Sequence, residues 1–302
     1  MTIQLVRLVP VFIRRLDNIS KLDNRVRDEM KIDRVRLVYF SPTGSTRRII
    51  EEIAKGIGAP VEQIDLTHPE AKTRDFEEFG GELALIGSPV YAGRIPLEAI
   101  RRLSRLKAHN TPAITLVVYG NRAYEDALIE LTDIISELGF KPIAGGAFVA
   151  QHSFSSPEVS IAEGRPDDFD LRKAREFGAK IKEKLQVAKS VGDISPVTVP
   201  GIRPYREEFR KSRAAKPGTE PAAPITREEL CTKCGKCVEA CPNAAITIES
   251  TVETQKQVCI RCYACIKNCP TGARVMVHPF FAREAKWLHD DFPDRKESET
   301  FA

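Results

Sequence analysis

From residue 35 onward, short apolar runs alternate with stretches in which apolar residues recur at helical spacing. The apolar runs are rich in leucine or β-branched residues and are bounded by glycine, proline or polar residues, which is typical of strands. We predict strands at residues 35–40, 61–65, 83–87, 113–119 and 143–149. The remaining periodic stretches predict amphipathic helices at residues 46–56, 125–138 and 169–189.

Five strands that alternate with helices predict an α/β domain with a doubly wound parallel sheet and right-handed crossovers. In such sheets, ligands bind beyond the carboxyl ends of the strands, where the strand order reverses. The loops after the first, third and fourth strands are therefore the candidate binding loops of this domain.

The rest of the chain divides into segments of different character. Residues 191–225 are rich in proline and lack periodicity, which predicts a linker. Beyond them the sequence repeats with a period of 28 residues, since the cysteine run that begins at 231 returns at 259. Two such halves predict a small α+β domain with pseudo-twofold symmetry. We expect an N-terminal extension (1–30), the α/β domain (31–190), the linker (191–225), the cysteine domain (226–277) and a C-terminal tail (278–302).

Length and composition fit this division. A chain of 302 residues suggests about two domains, and 42% hydrophobic with 29% charged residues is ordinary for a globular protein. No apolar stretch approaches the roughly 20 residues that span a bilayer, so we expect no membrane span. The apolar positions of residues 1–30 predict an additional packed helix or strand. Charges at Arg14, Arg15 and Asp17 end that run without a cleavage site, so we expect no secretory signal and a cytoplasmic location.

The net charge of +4 is small, but cations cluster in the linker and within the cysteine repeat. Such clusters indicate either a solvated basic surface or a docking face for an acidic redox partner protein. Nothing in the sequence resembles a nucleic-acid-binding motif, so we expect no nucleic-acid partner, whereas a homo-oligomer is compatible with it. The two clusters consist of Arg210, Lys211, Arg213 and Lys216, and of Lys233, Lys236, Arg261 and Lys267.

All eight cysteines lie in two copies of C-x2-C-x2-C-x3-C-P, at residues 231–242 and 259–270. Bacterial ferredoxins use this spacing to hold cubane 4Fe–4S clusters, and the fourth cysteine of each copy ligates the neighbouring cluster. Structural zinc sites pair two C-x2-C units across a longer spacer, and disulfide frameworks are typical of small secreted chains. We therefore predict two 4Fe–4S clusters, whose reduced forms the nearby cations would favour. One is ligated by Cys231, Cys234, Cys237 and Cys269, and the other by Cys259, Cys262, Cys265 and Cys241.

The loop after the first strand, SPTGST at residues 41–46, opens directly into a helix. Hydroxyl and backbone N–H groups at a helix N-terminus can bind phosphate without a lysine. A Walker loop would need that lysine, so we expect no hydrolysis of nucleoside triphosphates. By itself the loop is also compatible with a capped helix start.

The loops after the third and fourth strands favour a binding site. GSPVYAGR (87–94) supplies an aromatic residue, small residues and a cation, and YGNRAYED (119–126) supplies further tyrosines. Three such loops at one sheet edge suit a flat aromatic ring that carries a phosphate. A response-regulator domain shares this topology but needs an acidic residue at the end of the third strand, where this chain has Gly87, Ser88 and Pro89.

Residues 35–190 resemble a flavodoxin, and the chain from residue 35 onward is similar to the flavodoxin–ferredoxin fusion proteins of anaerobic bacteria and archaea. The resemblance is carried by FSPTGST, GSPVYAGRIP, YGNRAYEDAL and the two cysteine motifs. It implies a flavodoxin-like sheet in the strand order 2-1-3-4-5, a ferredoxin domain with two 4Fe–4S clusters, and bound FMN.

The resemblance also implies roles for single residues. The phosphate of FMN would be held by Ser41, Thr43, Gly44, Ser45 and Thr46. The isoalloxazine ring would be enclosed by Pro89, Val90, Tyr91, Ala92, Gly93, Arg94, Tyr119, Gly120, Asn121 and Tyr124.

Three positions of this ring site carry more specific expectations. Many flavodoxins stack a tryptophan on the flavin, but the only tryptophan here is Trp287 in the tail, so Tyr91 or Tyr124 is the candidate to replace it. Gly93 would permit a peptide reorientation beside flavin N5, or would simply form a turn. His152 follows the fifth strand at the same sheet edge and is a surface or capping histidine, or a proton donor.

Two functions follow from these expectations. The first is an electron-transfer protein that relays electrons between FMN and the two clusters for external redox partners. The alternative is a reductase, in which FMN reduces a small substrate and the clusters feed it. A reductase needs a substrate pocket with an acid or a base, for which His152, Glu125 and Asp126 are the candidates. A carrier needs an exposed flavin edge, and we favour the carrier.

Overall fold

The computed structural model describes residues 32–206 and 221–302. The expected helix or strand of the N-terminal extension lies outside these residues, and so does the basic cluster at residues 210–216. Within the described ranges, no helix is both long and apolar enough to cross a membrane.

The first half of the chain forms a five-stranded parallel sheet, and its strand order 2-1-3-4-5 confirms the predicted topology. The predicted strands and helices are all present, and a short helix between the third and fourth strands is additional. The elements are β1 (Val35–Tyr39), α1 (Ser45–Ile57), β2 (Val61–Asp65), a 3₁₀ turn (Pro69–Lys72), β3 (Leu83–Pro89), α2 (Leu97–Leu103), β4 (Thr111–Tyr119), α3 (Ala127–Glu137), β5 (Phe140–Val149) and α4 (Asp168–Val187).

Helices cover both faces of the sheet. Successive side chains of a strand point to opposite faces, so Leu37 of β1 packs with α1 and α4, whereas Val38 packs on the side of α2 and α3. The apolar stripes predicted for α1 and α4 meet on the first of these faces, where Ile53 and Phe177 are buried. The result is a three-layer domain whose strand ends are left for the binding loops.

A sixth strand extends this sheet, which the sequence pattern did not predict. β10 (Glu299–Phe301) comes from the tail and pairs antiparallel with β5 along residues 145–147. It thereby covers an edge that would otherwise present unpaired backbone groups. The tail also contains a helix, α7 (Pro279–Asp291), so it is an integral part of the fold.

The first part of the expected linker packs on the flavodoxin-like domain. After a 3₁₀ turn (Val191–Asp193), Ile194 and Val199 are buried. The N–H of Val197 donates to the carbonyl oxygen of Pro142 at 2.9 Å. The sequence shows no periodicity here because the segment has no regular secondary structure, although its apolar residues are buried in the core.

The cysteine domain is small, and its twofold repeat is visible in the backbone. Its elements are β6 (Ile225–Thr226), a 3₁₀ turn (Glu228–Leu230), α5 (Lys236–Glu239), β7 (Ile246–Ile248), β8 (Val252–Thr254), α6 (Ala264–Lys267) and β9 (Arg274–Val275). β6 pairs antiparallel with β9, and β7 pairs antiparallel with β8. Gly235 and Tyr263, at equivalent positions of the two copies, both precede a short helix in left-handed conformation.

A buried arginine joins the two domains. Arg102 of α2 is fully buried, and its guanidinium donates to the carbonyl oxygens of Leu66 and Thr67 within its own domain. The same guanidinium donates to Pro242 O at 2.6 Å and to Asn243 Oδ1 at 3.2 Å in the cysteine domain. The two domains are therefore docked through this guanidinium. Separating them would leave buried hydrogen-bonding groups without partners, which is unfavourable.

Candidate functional site

The loop after β1 forms a tight helix start. Gly44 adopts a left-handed conformation (φ +85°), and its N–H donates to the carbonyl oxygen of Ser41 at 3.1 Å. The hydroxyl of Ser41 accepts from the N–H of Arg47 at 3.1 Å, so this side chain caps α1 itself. Ser41 therefore caps the start of the helix, which is the alternative that the sequence left open for this loop.

The same loop also offers backbone donors that the protein does not use. Among the residues the structure describes, no group accepts from the N–H groups of Thr43, Ser45 or Thr46. Unpaired N–H groups at the start of a 13-residue helix favour an anion, because they carry the positive end of the helix dipole. The cradle therefore fits a phosphate group.

A two-residue turn follows β3. Ala92 and Gly93 both have positive φ (54° and 75°), and Tyr91 and Arg94 exchange backbone hydrogen bonds across them. The left-handed conformation favours glycine at position 93, and a Cβ there would also lie 2.2 Å from a carboxylate oxygen of Glu125, which would have to move. The simple-turn reading of Gly93 accounts for this geometry, and its expected role beside flavin N5 stays a prediction.

A single cavity of about 990 Å³ lies beyond the carboxyl ends of the strands and joins all three loops. Its size and position are those of a cofactor site in a doubly wound fold. Of the residues expected to hold FMN, it is lined by Ser41, Thr43, Ser45, Thr46, Pro89, Val90, Tyr91, Ala92, Gly93, Tyr119 and Gly120.

Four residues of the expected site do not line this cavity. Gly44 shapes the loop through its backbone only. Arg94 is buried in an ion pair with Glu130, with nitrogen–oxygen distances of 2.6 and 2.8 Å. Asn121 and Tyr124 contact the tail, which the next paragraph describes. Arg94, Asn121 and Tyr124 thus have structural partners that a sequence motif could not show.

Asn121 and Tyr124 hold the C-terminal tail against the sheet. The Asn121 amide donates to the carbonyl oxygens of Phe292 and Asp294, at 2.9 Å each. The Tyr124 hydroxyl donates to the Glu299 carboxylate at 3.1 Å. Tyr124 therefore contacts the tail and does not line the cavity, whereas Tyr91 does line it. Trp287 packs on Phe292 and does not line it.

The acid–base candidates are placed very differently. Glu125 pairs with Arg122 at 2.6 Å, and Asp126 is bound by Arg206, so neither faces the cavity. The hydrogen bonds from Arg206, opposed by burial, lower the pKa of Asp126 to about 2. The ring of His152 does line the cavity, and its Nδ1 accepts from the N–H of Phe154 at 3.1 Å.

The cysteine domain and the tail supply the opposite wall of the cavity. Residues 257–262 line it, and this stretch includes Cys259 and Cys262. From the tail come His278, Phe280, Phe281, Arg283 and Leu288. The spacing of Phe281, Ala285 and Leu288, which are all buried, would have predicted α7 as a packed helix, but not the surface that it covers.

The four cysteines assigned to the second cluster surround one small cavity. Cys241, Cys259, Cys262 and Cys265 all line it, together with apolar residues such as Ile246. All eight cysteines are free thiols. In the described ranges, no three His, Cys, Asp or Glu side chains converge as for a single metal ion. A cubane cluster places one iron at each thiolate and so accepts a wider spacing.

Burial raises the pKa of the Cys262 thiol and, in the same direction, that of Cys259. Burial also raises the pKa of Tyr91, and the nearby Cys262 and Cys259 act in the same direction. Tyr91 therefore shares the lining of the large cavity with Cys259 and Cys262.

The other four cysteines form a more exposed site. Cys234 is exposed, Cys231 and Cys269 are partly exposed, and Cys237 is buried. The assignment of each cysteine to a cluster stays a prediction, but the two expected ligand sets differ clearly in their access to solvent.

Comparison with known proteins bears on the cysteine domain directly. Residues 230–273 match the family described as the 4Fe-4S dicluster domain. The other half of the chain has the flavodoxin strand order described above. In architecture, the chain joins a domain with the flavodoxin-like strand order to a 4Fe-4S dicluster domain. It has no match among curated proteins.

Solved structures resemble the flavodoxin-like half. A flavodoxin from the domain Archaea is 19% identical, with 50% of this chain and 98% of that chain covered and a TM-score of 0.35. The Streptococcus pneumoniae TIGR4 flavodoxin is 16% identical, with 50% and 99% covered and a TM-score of 0.34. A WrbA-like flavodoxin from Agrobacterium tumefaciens is also 16% identical, with 51% and 97% covered and a TM-score of 0.34.

Proposed function

We propose that the protein is an electron relay in which FMN and two 4Fe–4S clusters exchange electrons for an external redox partner. The flavodoxin-like fold and the dicluster domain support a role in electron transfer with flavin and iron–sulfur cofactors. The cavity at the strand ends is the proposed FMN site, and the eight cysteines are the proposed cluster ligands.

One observation carries this proposal. Cys259 and Cys262 belong to the expected ligand set of one cluster, and both also line the cavity that joins the flavodoxin loops. The cofactor in the cavity and the cluster on these cysteines would therefore be neighbours within one chain. We call the site of Cys241, Cys259, Cys262 and Cys265 the inner cluster site, and the site of Cys231, Cys234, Cys237 and Cys269 the outer cluster site.

The two cluster sites suit different tasks. The exposed Cys234 gives the outer site access to a partner protein, whereas the inner site is enclosed beside the cavity. Arg102 fixes the dicluster domain on the flavodoxin-like domain. Transfer between the cofactors therefore depends on a docked arrangement, and not on the effective concentration set by a flexible tether.

The protein groups have definite roles in this relay. The N–H groups of Thr43, Ser45 and Thr46 would bind the phosphate, and Tyr91 would contact the ring in the cavity that Cys259 and Cys262 also line. When bound, FMN would accept two electrons, whereas each cluster would carry one. Together these cofactors would convert between two-electron and one-electron transfer. The dicluster domain and α7 limit the access of water to the ring site.

Electron delivery from reduced FMN to a one-electron acceptor tests the proposal. The anaerobically loaded protein should transfer electrons by way of the clusters, and a Cys262→Ala, Cys265→Ala double variant should lose this transfer. FMN binding, followed by the quenching of flavin fluorescence, should persist, because the phosphate cradle belongs to the other domain. An FMN-loaded double variant that still delivers electrons at the wild-type rate would refute the relay.

A reductase remains the second candidate, and the cavity is the observation that favours it. Its volume of about 990 Å³ lies near the upper end of small-molecule pockets, which span roughly 300–1,000 Å³. His152 in its wall is a titratable group beside the proposed ring site. Under this alternative, the same double variant should still reduce a small acceptor directly when dithionite supplies the electrons. A relay should not.

A further inference from the structure

Arg274 of β9 is a buried cation at the centre of the dicluster domain. It is 2% exposed. Its guanidinium donates to the hydroxyl of Thr226 at 2.6 Å, to the carbonyl oxygen of Pro224 at 3.1 Å and to the hydroxyl of Thr254. The neighbouring strands β6 and β8 thus hold the guanidinium in one position.

In residues 32–206 and 221–302, no carboxylate balances this charge, since Arg274 forms no ion pair and its Nε has no hydrogen-bond acceptor. A buried, uncompensated charge is strongly unfavourable, so an arginine in this setting indicates a negative group nearby. The sulfur of Cys265 lies 4.0 Å from Nη2 and belongs to the expected ligands of the inner cluster. A thiolate-ligated cluster is the negative group that fits.

Arg274 acts more strongly on the inner cluster site than on the outer one. Of the eight cysteines, Cys265 of the inner site is the one whose sulfur the guanidinium contacts, at 4.0 Å from Nη2.

Three of the four cations noticed in the cysteine repeat are less suited to this task. Lys233 and Lys236 are exposed, where solvent and salt screen their charge. Lys267 donates to the carbonyl oxygen of Ser155 at 2.7 Å and so contributes to domain docking. Arg274 lies beyond the second motif, and only the folded domain brings it back to the cysteines.

We propose that Arg274 raises the reduction potential of the inner cluster above that of the outer cluster, so that an electron entering from a partner settles beside the flavin site. This proposal rests on the proposed function. In the step concerned, the outer cluster is oxidised by one electron and the inner cluster is reduced by one, with no proton or further reactant. At an effective dielectric constant of about 20, a unit charge about 4 Å from one group and about 10 Å from another favours reduction of the nearer group more than about tenfold. For one electron, tenfold is about 59 mV.

The test is an EPR-monitored reductive titration of the full, cluster-loaded chain. Cys234→Ser alters an exposed ligand of the outer site only, and thereby assigns the two cluster signals. In the wild type, the first electron should reside on the inner cluster more than about ten times as often as on the outer cluster. Arg274→Gln should remove most of this preference, and Arg274→Lys should retain part of it. Lys233→Gln removes the same charge from an exposed position and should leave the preference unchanged.

Each outcome decides one question. A first electron that settles on the outer cluster of the wild type would overturn the proposal, even if Arg274→Gln fails to take up iron. An Arg274→Gln variant with full iron and an unchanged preference would overturn it as well. A wild-type chain that binds no iron or sulfide at all would instead refute the proposed function.

Discussion

Replacing Arg102 by alanine should both destabilise the protein and loosen the two domains. The substitution removes the donor for three buried carbonyl oxygens, those of Leu66, Thr67 and Pro242, and for the Asn243 side chain. A buried group left without its partner costs about 1–3 kcal/mol, and loss of one partner of a buried charged interaction costs about 3–5 kcal/mol in total. We expect Arg102→Ala to lower the free energy of unfolding by about 3–5 kcal/mol.

The effect should divide between the two domains. Two of the four acceptors belong to the flavodoxin-like domain, and two belong to the dicluster domain. About half of the loss should therefore fall on docking. Because docking closes one wall of the FMN cavity, FMN affinity should fall about tenfold, which corresponds to about 1.4 kcal/mol.

Anaerobic denaturant unfolding of the loaded protein measures the first quantity, with flavin fluorescence and cluster absorbance followed separately. Arg101→Ala is the matched control, since Arg101 is the neighbouring arginine of the same helix with a side chain that is 70% exposed. Arg101 pairs with Glu98, and because the arginine end of this pair is exposed to solvent, the pair is worth about 1 kcal/mol. If both variants lose the same stability, or if Arg102→Ala leaves FMN affinity unchanged, the docking argument is wrong.

Three further predictions concern the cofactors and the tail. Gly44→Val should weaken FMN binding about tenfold in a fluorescence titration, because a left-handed β-branched residue costs about 1–2 kcal/mol; Gly44→Asn should be milder, and equal affinities would contradict the cradle. Asn121→Ala should speed proteolysis of the tail and cost about 1–3 kcal/mol, because the carbonyl groups of Phe292 and Asp294 lose their donor; an unchanged cleavage rate would count against this role. Metal analysis of the anaerobically purified protein should give about eight iron and eight sulfide per chain, and stoichiometric zinc would end the cluster assignment.

The secondary structure and the kind of chemistry were readable from the sequence because both depend on local spacing. The strands and helices of the flavodoxin-like half follow from periodicity, and the alternation of the two predicts the doubly wound sheet. The cysteine spacing specifies iron–sulfur ligation for the same reason, since three ligands of a cluster lie within seven consecutive residues, from 231 to 237. The phosphate loop is likewise one continuous segment at a helix start.

Side chains that meet across the fold were not readable in this way. Arg94 and Tyr124 lie in two loops that together resemble a ring site, yet their partners are Glu130 and Glu299. A motif fixes the position of a residue in its loop, but the side chain then bonds to whichever partner the other elements bring near. For Tyr124 that partner comes from a tail strand whose pairing with β5 no local pattern specifies.

The sequence by itself determined two cofactor domains, their element order and the residue types that would hold each cofactor. Only the tertiary structure decided that the domains are docked, that Cys259 and Cys262 face the flavodoxin loops, and that Arg274 lies beside Cys265. The reason is physical. Periodicity and motif spacing record contacts between residues close in the chain, whereas a buried arginine is stabilised by acceptors that are far apart in sequence and meet only when the chain has folded.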